Sequence, residues 1–443
     1  MAKYIVSGGT KLSGSVTLSG AKNAGFKAMI AALLADSESE IKGLGLISEI
    51  DFAKKIITAL GAQVTETSDP HNLKINPQGF VNFEIPEEFG SKSRSSMMYV
   101  GPLLAKFGKA LIPTPGGDIA IGKRPLERHL DGLRALGAEI KYDESHGVYE
   151  ITAKILNGTH YKFSKVTHTG TETLIMAAVK AQGKTVLENC AQDPEIDNLI
   201  DFLVKMGASV RRTLPTTIVI EGVERLEGVE HTIIPDRIEA ATFACMALGT
   251  GGEIEVHKAD PAILQSLLWK VEEIGGGLEL KEDAIVFKFL KALRSTDLTT
   301  APYPGFLTDW QPLWSTLMTQ AKGESIVHET VHDSRFGFVP NLLKMGAKID
   351  LFNPEVTNPE FVYNFDLADD KPENKHAATI FGPTPLSGTD LEINEIRGGA
   401  TALLAGMMAK GQTTINDPLD QIKRGYEDLP GKLISLGAKI QAV

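Results

Sequence analysis

The segment Pro115-Gly116-Gly117-Asp118-Ile119-Ala120-Ile121-Gly122-Lys123-Arg124-Pro125 sets three glycines around one carboxylate and ends on two adjacent cations. It runs into Leu126-Glu127-Arg128-His129-Leu130-Asp131-Gly132-Leu133, where leucines repeat at helical spacing. Pro125 suits a first helical position, which needs no amide donor. The segment therefore reads as a glycine-hinged loop that presents Arg124 at a helix N-terminus. Such a loop can close over an anionic ligand and carry Asp118 with it. An isolated Gly-Gly-Asp is by default a plain solvated loop.

Other charged residues share this placement. Ser19-Gly20-Ala21-Lys22-Asn23-Ala24 puts a cation and an amide where a helix begins, although such a turn is also an ordinary helix start. It lacks the Walker spacing, and no Gly-x-Gly-x-x-Gly lies between a clear strand and helix. Arg94 and Lys165 each precede an apolar helix. His168, in Val166-Thr167-His168-Thr169-Gly170, is either a ligand-binding residue or a solvent-facing cap-region histidine. Asp309 follows a turn rich in proline and glycine, Pro302-Tyr303-Pro304-Gly305. By default it is a helix N-cap; facing a hydroxyl substrate, it is a general base. Glu395-Ile396-Arg397 and Ile422-Lys423-Arg424 each read as an arginine at a helix entry. Together Lys22, Arg94, Arg124, Lys165, Arg397 and Arg424 sit at predicted helix starts. In a chain of formal net charge -11, that pattern focuses positive potential locally. The expected ligand carries phosphate, carboxylate or both, which arginine matches bidentately.

The elements that must position these residues show an internal repeat. A helix ending in Leu-Gly-Ala or a close variant, then a polar and an aliphatic residue, recurs with its first glycine at 61, 137, 207, 275, 346 and 437. Each glycine fits the left-handed position that ends a helix before a strand. The spacing, near seventy residues, is too long for a solenoid and suits one helix-and-strand unit used six times. Phe26, Met29, Ile30, Leu33 and Leu34 mark one face of a helix after Lys22-Asn23. Asp193-Pro194 and Asp260-Pro261 open further helices, the second running to Ile274. Helices and strands interleave, so the class is α/β or α+β. Three repeats precede residue 233 and three follow. The expectation is two like lobes, 22–233 and 1–21 with 234–443, with a mobile loop near 113–124 on the first and a ligand cleft between them.

Composition narrows the rest. The chain of 443 residues is 42% hydrophobic and 23% charged, ordinary for a globular protein of two to three domains. Its acidity argues against nonspecific nucleic-acid binding. Cys190 and Cys245 are the only cysteines, without metal spacing, which points to a reducing compartment. With no signal-like or membrane-length apolar run, the expectation is a soluble cytoplasmic protein.

These stretches resemble the enolpyruvyl transferase family, and within it the branch acting on UDP-N-acetylglucosamine. The matching pieces span essentially the whole chain. They are Ser19–Ala24, the Arg94 segment with Val100-Gly101-Pro102-Leu103, Gly116-Gly117-Asp118 with Ile121–Pro125, Glu188-Asn189 through Pro194-Glu195-Ile196, Ile234–Glu239, Pro302–Phe306 with Thr308-Asp309, and Arg424-Gly425-Tyr426-Glu427. The shikimate-phosphate branch opens on Gly-Asp-Lys-Ser, which residues 20–23 do not match. The resemblance implies a two-lobed inside-out α/β barrel of six βαβαββ units, three per lobe. It implies a reaction in which the sugar 3′-hydroxyl attacks C2 of phosphoenolpyruvate while C3 is protonated, and the tetrahedral adduct then loses phosphate. That reaction is the first committed step of peptidoglycan precursor synthesis and needs no metal or organic cofactor. Carried over by position, Lys22, Arg124 and Arg424 hold phosphoenolpyruvate, with Arg94 and Arg397 in support. Asn23 and Asp309 contact the sugar, Asp309 as the base. Lys165, Thr167, His168 and the stretch at Pro125 and Leu126 surround the uridine diphosphate, and Glu395 counts among the substrate-binding residues. Lys22, Arg397, Asp309 and Asp118 form the implied catalytic set.

Three departures from the family pattern are visible. Asp118 stands where the family usually has cysteine, as in some members, in a loop one residue longer; general-acid and product-release roles both fit it. Glu395-Ile396-Arg397 replaces Asp-Leu-Arg, and Thr167-His168-Thr169 replaces Ser-Val-Gly. These keep two alternatives open: transfer to another nucleotide sugar, or a UDP-sugar-binding relative without turnover. Oligomeric state is not legible.

Overall fold

The computed structural model describes residues 2–116, 126–393 and 395–443. The repeat seen in the sequence is a repeat in space. Helices Ser48–Ala59, Glu127–Ala135, Pro194–Lys205, Gln265–Glu273, Val339–Lys344 and Leu429–Ser435 each stop two residues before a glycine with φ between 87° and 103°. At each stop two hydrogen bonds close the end. For the first, Gly61 N donates to Thr58 O and Ala62 N to Ile57 O. The pair recurs at Gly137, Gly207, Gly275, Gly346 and Gly437. This is the Schellman arrangement, which satisfies carbonyls the helix leaves without partners. A strand hairpin then follows, made with the N-terminal strand Ala2–Ser7 in the last repeat.

Two of these glycines separate backbone strain from crowding. A Cβ at Gly207 would meet nothing within 4 Å, whereas one at Gly61 would lie 2.3 Å from Gly79 O. Gly207→Ala is expected to cost about 1–2 kcal/mol, the left-handed penalty alone. Gly61→Ala should cost distinctly more in urea denaturation, since Gly79 must also move.

The chain forms two compact units among the described residues, one of 20–116 with 126–234, the other of 2–19 with 235–443. Each has its own core and three sheets. Five of the six sheets share one order: a parallel edge strand, its neighbour, then two antiparallel strands. Examples are Glu230–Thr232 beside Ser39–Lys42, and Ser13–Thr17 beside Glu253–His257. The sixth has three strands, with a single parallel bridge from Glu84 to Leu111 in the edge position. Strands such as Lys184–Glu188 and Glu253–His257 alternate buried and less buried residues, so one face is covered and one turned outward.

The covering layer is a second set of helices: Lys22–Ala31, Val100–Phe107 and His168–Ala178 in one unit, and Arg237–Gly249, Gln311–Met318 and Ile396–Met408 in the other. Every residue from Arg237 to Leu248, from Gln311 to Met318 and from Arg397 to Met407 is buried. These last three helices are enclosed on all sides, with sheets outside: the inside-out arrangement. The single apolar face expected after Lys22-Asn23 is corrected on this ground, since residues 24–31 are buried around the whole helix and Leu33 and Leu34 fall in a following 3-10 turn. The helix expected from Asp260 likewise divides, into a 3-10 turn at Pro261–Ile263 and the helix Gln265–Glu273.

Candidate active site

In the unit holding the C-terminus, the site residues converge on Asp309. The N-cap position of helix Gln311–Met318 is Trp310, with no side-chain cap. The default reading of Asp309 as a cap is therefore replaced: its carboxylate turns to two guanidiniums. Arg397 Nε and Arg335 Nη2 each lie 3.0 Å from the same oxygen, Oδ1. Arg335 also donates through Nη1 to Glu395 Oε2 at 3.3 Å and through Nε to Thr308 O at 3.3 Å. The side chains of Arg335 and Arg397 are only 2% and 5% exposed, while that of Asp309 is 32% exposed. One carboxylate oxygen is thus anchored by buried cations, and the carboxylate still reaches solvent. Burial alone would raise the Asp309 carboxyl, but Arg397 and Arg335 reverse this and hold it well below the usual carboxylate range.

The elements around this cluster are tied to it. Arg397, in the first turn of Ile396–Met408, lies over the Tyr426 ring at 5.4 Å, and Tyr426 Oη is 3.0 Å from Thr242 Oγ1 on Arg237–Gly249. Arg237 stacks on Tyr303 at 4.8 Å. Arg424 is corrected from a helix entry to the last turn of the short helix Gln421–Gly425, whose first amides are bound by the buried Asp417 carboxylate. The sequence does not single out Arg335. It lies outside any helix or strand, in a stretch without a start or stop signal. The turn before it is fixed by Glu329, which accepts from Val331 N and His332 N.

In the other unit, Lys22 and Asn23 open the helix Lys22–Ala31, where no side chain caps the first amides. Arg94 opens the 3-10 turn leading into Val100–Phe107, behind Ser93, which donates to buried Glu49 at 2.9 Å. Thr167 is a true N-cap, accepting from Gly170 N at 3.2 Å. Arg128 holds this stretch by donating to Val166 O at 3.3 Å, and buried His129 sits between Thr169 and Thr173. Lys165, Thr167 and His168 thereby stand at one helix start, and Leu126 at the start of the neighbouring helix Glu127–Ala135. The His168 ring is turned toward Lys27 at 3.0 Å and Glu172 at 3.4 Å. Asp118, Arg124 and Pro125 lie outside the described residues. Lys22, Asn23, Thr167 and His168 in this unit and Arg397 in the other stand at helix N-termini, and such ends favour anions.

Comparison with known proteins fits this geometry. Residues 6–433 match the family described as EPSP synthase (3-phosphoshikimate 1-carboxyvinyltransferase). The chain belongs to the EPSP synthase family. It is 39% identical over 440 residues to UDP-N-acetylglucosamine 1-carboxyvinyltransferase 3 of Caldanaerobacter subterraneus subsp. tengcongensis, covering 99% of each chain. It is 39% identical over 445 residues to UDP-N-acetylglucosamine 1-carboxyvinyltransferase of Koribacter versatilis, covering 100% of this chain and 97% of that one. Among solved structures it is similar to the enolpyruvyl transferase NikO from Streptomyces tendae, with a TM-score of 0.86 at 24% identity over 100% and 99% of the two chains. An EPSP synthase from Acinetobacter baumannii gives 0.73 at 18% identity over 100% of both. These two likenesses establish the enolpyruvyl transferase fold. Family membership makes the chain an enzyme that transfers a carboxyvinyl group, consistent with an anchored carboxylate among arginines. Among the described residues no helix is long and apolar enough to cross a membrane.

Proposed function

We infer that this chain transfers the enolpyruvyl group of phosphoenolpyruvate to the 3′-hydroxyl of UDP-N-acetylglucosamine and releases phosphate. The observation that carries this reading is Asp309, a solvent-reaching carboxylate whose Oδ1 is fixed by two buried guanidiniums. Full-length identity of 37–39% to UDP-N-acetylglucosamine 1-carboxyvinyltransferases selects the acceptor. Asp309 takes the hydroxyl proton as oxygen attacks C2, while an acid, Asp118, protonates C3. Loss of that C3 proton and of phosphate restores the double bond. Lys22, Arg124 and Arg424 hold the phosphoenolpyruvate anions, with Arg94 and Arg397 in support. Asn23 holds the sugar. Leu126, Lys165, Thr167 and His168 serve the uridine diphosphate, and Glu395 orders Arg335. Holding two anionic reactants in one orientation is worth on the order of 7–11 kcal/mol of barrier. The setting is cytoplasmic peptidoglycan precursor synthesis.

The test is phosphate release with both substrates, with the product identified by mass spectrometry. Release with UDP-N-acetylglucosamine and an adduct one enolpyruvyl group heavier is expected. Turnover with shikimate 3-phosphate alone, or binding of the UDP-sugar with no turnover, would sink the reading.

A further inference from the structure

The arrangement around Asp309 contains a conflict. A general base must accept a proton, yet both arginines that order this carboxylate also oppose its protonation. They meet on one oxygen at 3.0 Å each. The other groups facing Asp309 do not undo this. His332, from the turn carrying Arg335, acts in the same direction as the arginines. Glu395 and Glu329 act on Arg335 rather than on Asp309 directly. Asp236 and Tyr426 act on Arg397. Before an anionic substrate arrives, Asp309 is a positioned but weak base.

We propose that Arg335 and Arg397 form a lock on Asp309, and that the phosphoenolpyruvate anion opens it by drawing their guanidiniums into its own charge. Arg335 is then a positioning residue that acts through Asp309. This rests on the reading above and adds a coupling: the base is enabled only when phosphoenolpyruvate is present. Linkage makes the idea quantitative. If phosphoenolpyruvate raises the proton affinity of Asp309 by some factor, loss of the Asp309 charge raises phosphoenolpyruvate affinity by the same factor.

The experiment uses the full chain and phosphoenolpyruvate alone, so that no reaction occurs. Infrared difference spectra, with Asp309→Asn as reference, follow the Asp309 carboxylate band with pH. Saturating phosphoenolpyruvate should move its midpoint up by at least one pH unit. Calorimetry should show Asp309→Asn binding phosphoenolpyruvate at least tenfold more tightly than the parent. If the asparagine variant does not fold, Asp309→Glu supplies the reference band. Arg335→Lys, which keeps a charge but loses the planar fork, should reduce the midpoint shift. Binding with an unmoved midpoint overturns the lock and leaves the proposed function standing. No binding of phosphoenolpyruvate, with or without UDP-N-acetylglucosamine, overturns both.

Discussion

Asp309→Asn is expected to lower kcat by about 10²–10⁴, the usual contribution of a positioned general base. The substitution is close to isosteric, and the amide oxygen can still accept from one of the two guanidiniums at Oδ1. The pocket should therefore keep its shape. What is lost is the site that receives the hydroxyl proton. Stability should also fall, but by less than the roughly 3–5 kcal/mol seen when a buried ion is wholly orphaned. Arg335 keeps Glu395, and the Asp309 side chain is 32% exposed. Phosphoenolpyruvate should restore much of the lost melting temperature, because its anion replaces the missing charge. Steady-state kinetics beside a thermal melt would check this. A kcat within tenfold of the parent, with unchanged folding, would show that Asp309 only orients the sugar.

The same residue shows where sequence reasoning reached and where it stopped. The six helix stops are legible because the Schellman motif is local: a glycine, a small residue after it and a buried aliphatic residue four before it lie within six positions. The enclosure of the central helices was only half legible. A helix buried on all sides has no polar face to mark it, so Lys22–Ala31 read as one apolar stripe. For Asp309 the sequence leaves a helix cap and a general base both open, because a carboxylate before a helix is locally indistinguishable from a cap. Its true partners stand 26 and 88 residues away. Arg335 has no local signal at all, and Arg424 reads as a helix entry because a five-residue helix ends just before the next begins. Lys27 carries no signal inside its apolar run, although its partner, 145 residues distant, makes it one of the more consequential side chains of its unit.

Lys27→Met should therefore be among the most destabilising single changes outside the site. Lys27 Nζ lies 2.6 Å from Glu172 Oε2, with the two side chains 2% and 0% exposed. Removing the cation leaves a carboxylate with almost no access to water and only the His168 ring, 3.4 Å away, beside it, so the loss should approach the roughly 3–5 kcal/mol of a broken buried pair. The double variant Lys27→Met/Glu172→Leu should recover most of that loss, because an apolar pair of similar volume has no desolvation cost to offset. Urea denaturation of the two single variants and the double gives the coupling directly; a single-variant loss under about 1 kcal/mol would refute the argument. The kinetics should part from the stability. The pair joins helix Lys22–Ala31, which begins with Lys22 and Asn23, to helix His168–Ala178, which Thr167 caps. A hydrophobic contact holds the two helices together without fixing their register as an ion pair does. The double variant is thus expected to melt near the parent and yet show a raised KM for both substrates. A buried charge in this unit would then be retained for the placement of Lys22 and Thr167 rather than for folding free energy.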